Sequence, residues 1–139
     1  MNKRVLISAP YFQPVVQRFA AEFERHRIEP VVPRVNERLT EEELLALVGD
    51  IVGDLPKGHS ERANQLVSSA ESVVRNIAEG AGRWSEADSA KHYKIARGEA
   101  MECAASLDVM KLRKLLAEQR YEHGIRLLEG VVAMLTKMI

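Results

Sequence analysis

The 139-residue sequence has a single cysteine, few aromatic residues, no net charge and no long apolar run. The lone Cys103 excludes an internal disulfide and a metal site built from several cysteines. Aromatic residues make up only 5% of the chain, which leaves little material for a platform that stacks nucleobases. A formal net charge of zero gives no global electrostatic sign of a nucleic-acid-binding protein.

The apolar residues are spread over short groups. No group approaches the roughly 20 residues that span a bilayer, and residues 5–9 are too short for the core of a signal peptide. These absences predict no membrane segment and a cytoplasmic location. The contents of 46% hydrophobic and 29% charged residues are typical of a folded domain.

The first part of the chain predicts a parallel βαβ unit. Two short aliphatic runs near residues 5–9 and 28–33 end at prolines, and Val15, Phe19 and Phe23 form a helical stripe between them. Residues 1–53 resemble the start of the D-isomer 2-hydroxyacid dehydrogenases. The Rossmann half of that family does not follow, so the resemblance implies an inactive fragment and no cofactor. We assign residues 1–39 to this unit.

The rest of the chain, residues 40–139, is typical of a helical bundle. A capping box at residues 40–43 starts a short helix, and apolar residues at helical spacing predict longer helices over about 60–79, 86–116 and 118–139. Short connections favour antiparallel neighbours. The predicted fold is therefore mainly α: an antiparallel up-and-down four-helix bundle with a short N-terminal βαβ-like appendage. The predicted inward-facing residues are Leu44, Val48, Ile51, Leu55, Ala63, Leu66, Ala70, Val73, Ile77, Tyr93, Ala96, Ala100, Cys103, Ala104, Leu107, Met110, Tyr121, Ile125, Leu128, Val132 and Leu135.

The joint between the two central helices has its own pattern. Gly80 and Gly82 predict a C-cap with positive φ, and Ser85 predicts the next N-cap. The glycine pair lacks the third glycine of a dinucleotide-binding loop and follows a helix, so it is not a nucleotide site. The predicted structural joint residues are Asn76, Glu79, Gly80, Gly82 and Trp84. Trp84 is placed to stack on a base or to anchor a subunit contact, and we favour the subunit contact.

Basic residues recur along the next helix. Lys91, Lys94 and Arg97 form one group, and Lys111, Arg113 and Lys114 form a second. With Arg83, these residues are the candidates for binding nucleic acid or a partner, and a solvated charged face is the alternative. Because an antiparallel helix carries Arg97 away from the joint, a contact with Glu79 is expected only across subunits or through Tyr93. A network that fixes helix register is the alternative role of Glu79, Arg83 and Arg97.

Several short motifs occur together in one known family. Residues 55–59, 76–83, 92–100 and 134–136 resemble the four helix bundle protein family, first noticed as products of intervening sequences in bacterial large-subunit ribosomal RNA genes. The accessory proteins of diversity-generating retroelements resemble this family too; they form pentameric barrels and work with RNA and a reverse transcriptase. The resemblance implies a homo-oligomer such as a pentamer, with RNA, DNA or a reverse-transcriptase-like protein as partner. The family's first helix is replaced here by the dehydrogenase-like segment, as in a fusion.

Known catalytic and metal-binding patterns are missing from the sequence. A di-iron bundle requires Glu-x-x-His on two helices, and that motif does not occur in this chain. The sequence therefore predicts a non-enzymatic, self-associating protein that binds RNA, DNA or a nucleic-acid-processing partner through a basic surface. A purely structural interaction module, or an orphan fusion carrying an inactive dehydrogenase fragment, is the alternative.

Overall fold

The structure, a computed structural model, describes residues 3–6, 13–31 and 37–139, and the chain divides into two compact units, residues 1–40 and 41–139. In the first unit, strand β1 (Lys3–Leu6) is followed by a 3₁₀ helix (Gln13–Phe19), helix α1 (Ala20–Arg25) and strand β2 (Ile28–Val31). The strands pair in parallel, with Lys3 opposite Ile28 and Leu6 opposite Val31. The predicted parallel βαβ arrangement is confirmed. Residues 7–9, 32 and 33 of the predicted strands lie outside the described residues.

The second unit is a bundle of four helices: α2 (Glu37–Asp54), α3 (Ser60–Ala81), α4 (Glu86–Leu112) and α5 (Glu118–Met138). Helix α4 packs against both α3 and α5. The end of α2 meets the start of α5, where Arg120 forms an ion pair with Asp54. The helices therefore run alternately up and down, as the short connections predicted. Helix α2 begins earlier than the capping box at residue 40 indicates. Among the described helices, none has the length and apolar character to cross a bilayer.

The core of the bundle lies where the apolar spacing predicted it. All five predicted residues of α3 are buried, and so are Leu44, Val48 and Ile51 of α2. Ala96 and Ala100 of α4 are fully buried, and their small side chains allow neighbouring helices to approach closely. Ala104, Tyr121, Ile125 and Val132 are only half-buried, but they pack against the core as predicted. Val131 and Gly124 of α5, which the spacing did not predict, are buried as well.

Candidate functional site

The joint between α3 and α4 is held by a connected set of polar contacts. Nδ1 of His92 lies 3.3 Å from Oδ1 of Asn76 and 3.4 Å from Oε2 of Glu79. The Arg83 guanidinium donates to the same Glu79 oxygen at 3.2 Å, and the Asn76 amide donates to the Ser72 carbonyl at 2.9 Å. Because both neighbours of Nδ1 are acceptors, that nitrogen carries the hydrogen. The network ties the last turns of α3 to the first turns of α4 and fixes their register.

Sequence reasoning missed His92 in this network, because the four histidines lie far apart in the sequence. A signal was present: His92 lies early in α4, and an antiparallel neighbour places it opposite Asn76 and Glu79 at the end of α3. The expected involvement of Arg97 does not occur within the chain. The Arg97 guanidinium instead lies 3.5 Å from the hydroxyl of Thr136 on α5. The contact across subunits remains a prediction.

Gly80 and Gly82 play different roles at the end of α3. Gly80 is buried inside α3, and a Cβ added there would lie 2.5 Å from Cε1 of Tyr93. The glycine is required because the tyrosine ring packs directly on the α3 backbone. Gly82 is the C-cap of α3, but its φ is −86°, a value that any residue adopts. The predicted C-cap is therefore confirmed at Gly82 and wrong at Gly80, and the predicted positive φ is wrong at both positions.

Trp84 projects from the joint into solvent. Its relative exposure is 105%, the largest among the exposed large apolar residues of the described chain. The indole therefore does not pack within the chain, and the subunit contact that the sequence favoured stays a prediction. The next residue, Ser85, is the N-cap of α4; its Oγ accepts from the backbone N–H of Asp88 at 3.2 Å and donates to the Asp88 carboxylate at 2.8 Å. This cap fixes the backbone on one side of the exposed indole.

The first basic group lies near the start of α4. Lys91 and Lys94 are exposed, and neither takes part in an ion pair within the described part of the chain. Arg97 is half-buried and turns toward α5. Of the seven predicted basic residues, Lys91 and Lys94 thus keep their charges free at the joint end of the bundle.

The second basic group lies where α4 ends. Helix α4 stops at Leu112 rather than at the predicted residue 116, because Lys114 adopts a positive φ of 59°. Its N–H donates to the Lys111 carbonyl at 2.9 Å, and the Leu115 N–H donates to the Met110 carbonyl at 2.8 Å. This pair of bonds is a Schellman motif, in which glycine is the usual left-handed residue. The lysine at that position concealed the helix end from sequence inspection.

Lys111 is engaged by its neighbours, while Arg113 and Lys114 are exposed. The Lys111 ammonium donates to the Glu118 carboxylate at 3.0 Å and lies 4.1 Å from the centroid of the Tyr121 ring. The hydrogen bond to Glu118 raises the pKa of Lys111. At 1.5 Å per residue, Lys91 and Lys111 are about 30 Å apart along the helix. The structure therefore separates the two basic groups to opposite ends of α4.

The side of α4 that points away from α3 and α5 carries an unusual mixture of residues. At 3.6 residues per turn, the exposed residues on this side form what we call the α4 outer face: Ala87, Lys91, Lys94, Ile95, Gly98, Met101, Ala105, Val109 and Leu112. Met101 and Leu112 are 59% and 83% exposed. Exposed Glu102 also lies on this face, between Ile95 and Val109 on the helical wheel, and accepts from Ser69 of α3. Asp108 borders the face and accepts from Tyr121 of α5. The face is basic near the joint and, apart from Glu102, apolar toward the C-terminal end of the helix.

Within the described ranges 3–6, 13–31 and 37–139, no three or more His, Cys, Asp or Glu side chains form a cluster that could hold a metal ion. Cys103 is fully buried. Burial, together with the charges of Glu99 and Glu102, raises its pKa to about 12. Its thiol therefore stays protonated and packs as a small apolar side chain, as predicted.

The bundle matches a known family model over most of its length. The model of the 23S rRNA-intervening sequence protein matches residues 41–137. The chain belongs to this family. The resemblance stated for residues 55–139 is thereby confirmed. The match begins within α2, so the expectation that a dehydrogenase-like segment replaces the family's first helix is wrong. The match leaves out residues 1–40, and their likeness to dehydrogenases stays a prediction.

The fold is also found among solved structures. A crystal structure of a protein of unknown function from the S23 ribosomal protein family of Bacteroides thetaiotaomicron VPI-5482 superposes with a TM-score of 0.67. The two sequences are 21% identical, and the match covers 73% of this chain and 96% of the other. At this identity the likeness supports the fold alone. Comparison with curated proteins gives no match.

Proposed function

We propose that this protein is a non-enzymatic bundle that self-associates and binds RNA through the joint end of the α4 outer face. The observation that carries the proposal is the division of this face into a half with free lysines and an apolar half. The proposal assigns no reaction, metal or cofactor to the chain, and it places the protein in the cytoplasm.

The basic half supplies the contact with phosphate. Lys91 and Lys94 are exposed and have no carboxylate partner among the described residues. Phosphate binding by such lysines releases counterions from the nucleic acid, and this release favours association at low salt. RNA is the first nucleic acid to test because the family is named for an intervening sequence of 23S rRNA. DNA, or a reverse-transcriptase-like protein, is the competing partner.

The apolar half supplies the contact with a second copy. A soluble monomer rarely leaves several large apolar side chains along one helix in water. Burial of Met101, Val109 and Leu112 in an interface would remove that surface from solvent, and exposed Gly98 and Ala105 would let a second helix approach closely. In a closed ring the lysines of successive subunits would together produce one positive electrostatic field.

RNA binding is tested by fluorescence anisotropy with a labelled structured RNA. Reversal of both charges in Lys91→Glu/Lys94→Glu should weaken binding on the order of tenfold or more, since each lost contact is worth about 1 kcal/mol. Lys57→Glu reverses one exposed charge in the α2–α3 connection, at the other end of α3, and serves as the control. Absence of saturable binding would refute the RNA part of the proposal. Equal effects of the two reversals would refute the assignment to α4.

Self-association is tested by size-exclusion chromatography with light scattering. The 15.6 kDa chain should elute as an oligomer, and Met101→Glu/Leu112→Glu should return it to the monomer mass because both side chains would place a charge in the apolar contact. Leu45→Glu changes an exposed apolar residue of α2 and should leave the mass unchanged. A wild-type monomer at tens of micromolar would contradict the proposal.

A further inference from the structure

The indole of Trp84 is exposed in surroundings that differ from those of the apolar half of α4. Between Ala81 and Lys94, no other large apolar side chain is exposed; the next is Ile95. A tryptophan that anchors a protein interface normally lies at the centre of a well-packed patch, ringed by contacts that exclude water. The exposed neighbours of Trp84 are small or polar, including Gly82, Ser85 and Ala87. The residues next to Trp84 in the chain therefore add no further large apolar side chain to such a patch.

The free lysines of α4 favour an anionic partner that also carries a flat apolar group. The free lysines follow in the next turns: Lys91 and Lys94 lie roughly 8 and 12 Å along the helix axis from Glu86. In a stacked strand that rises about 3.4 Å per nucleotide, this distance covers two to four nucleotides. The carboxylates of Glu86 and Asp88, in the first turn of α4, disfavour a phosphate beside the indole itself. A strand with a base against Trp84 and its phosphates farther along α4 would avoid the carboxylates near the indole and still reach the free lysines.

We infer that Trp84 stacks on an unpaired nucleobase of a bound strand while Lys91 and Lys94 contact phosphates two to four nucleotides away. Stacking needs an aromatic face free on at least one side, and the exposed indole offers it. In duplex RNA the bases are stacked on one another and their faces are unavailable. The inference rests on the proposed RNA function and gives it a substrate class, namely RNA with single-stranded nucleotides. The few aromatic residues of the chain limit this stacking to one base.

The experiment uses the full chain, in which Trp84 is the only tryptophan, so intrinsic fluorescence reports this site alone. The probes are a single-stranded ten-nucleotide RNA and a blunt-ended duplex of the same length, which has no unpaired loop. The single strand should quench the fluorescence to saturation. Trp84→Ala should weaken its binding on the order of 5- to 150-fold, with little change for the duplex. Trp84→Phe keeps an aromatic face and should retain most of the affinity, whereas Trp84→Leu should not.

The outcomes separate this inference from the proposed function. If Trp84→Ala leaves single-strand affinity unchanged while Lys91→Glu/Lys94→Glu weakens it, the stacking role is overturned and RNA binding by α4 stands. If the wild-type protein binds neither RNA, both fail. If Trp84→Ala instead lowers the mass found by light scattering, Trp84 is a subunit contact and the inference is overturned. Because the side chain is fully exposed, each variant should fold, and circular dichroism checks this.

Discussion

Substitution of Gly80 by alanine tests how tightly the end of the bundle is packed. In an exposed helix position this change stabilises a protein, because alanine is favoured over glycine by about 0.8–1.0 kcal/mol. At Gly80 the added Cβ would lie 2.5 Å from Cε1 and 2.8 Å from Cδ1 of Tyr93. The ring is itself buried, with 8% exposure. It therefore has to move against the core.

The expected change in the free energy of unfolding of Gly80→Ala follows from a comparison with Gly130 in α5. Gly130 is exposed, and nothing lies within 4 Å of the Cβ that alanine would add there. Gly130→Ala should gain the full propensity term of about 1 kcal/mol. Overpacking in a buried site costs about 1–3 kcal/mol, so Gly80→Ala should range from nearly neutral to about 2 kcal/mol less stable than wild type. The difference between the two variants isolates the overpacking term.

Urea unfolding followed by circular dichroism measures both free energies of unfolding. Gly80→Ala should have the lower midpoint of the two variants, by about 1–3 kcal/mol when converted to free energy. The double variant Gly80→Ala/Tyr93→Leu should show favourable coupling, because it removes the ring that the new methyl group meets. If Gly80→Ala is as stabilising as Gly130→Ala, the close approach of Tyr93 to α3 is refuted.

Three further outcomes are expected. Lys114→Gly should stabilise the protein by about 0.5–1 kcal/mol because φ is 59° there, whereas Arg113→Gly should not, and thermal unfolding compares them. Ser85→Ala should cost about 1 kcal/mol through loss of the α4 N-cap; a change under a few tenths in urea unfolding would contradict the cap. The native Cys103 thiol should not react with a thiol reagent at neutral pH, but should react once the protein is unfolded. The pKa of the native thiol is raised from 9.0 to about 12, so only the unfolded thiol ionises between those values. The free energy of unfolding should therefore fall as the pH rises through that interval, and Cys103→Ala should lack this decrease.

Much of the bundle could be predicted because its helices bury residues at regular spacing. Leu66, Ala70 and Val73 recur at steps of four and three, and each is buried. Helix ends were less predictable, since Lys114 occupies a position where glycine would have marked the end of α4. The reverse occurred at Gly80, where glycine marks a close contact inside a helix. Sequence spacing alone does not distinguish these two uses of glycine.

The sequence predicted which residues belong to the candidate site better than it predicted their contacts. The basic residues of α4 were identified, but only the structure shows which are engaged: Lys111 contacts Glu118, and Arg97 turns to Thr136. The contacts of His92 depend on how α3 and α4 align, which no local motif encodes. The exposure of Trp84 likewise depends on the path of the loop after α3. Contacts between distant residues are the part that the sequence pattern leaves open.

The central claim, that free lysines of the α4 outer face bind RNA phosphates, is tested most directly by salt dependence. The slope of log Kd against log salt concentration should be steep for the wild-type protein. It should become shallower by about 1.4 for Lys91→Glu/Lys94→Glu on single-stranded RNA, as two phosphate contacts are lost, and should stay unchanged for Lys57→Glu. A wild-type affinity that is indifferent to salt, or a slope that is the same in all three proteins, would contradict the claim.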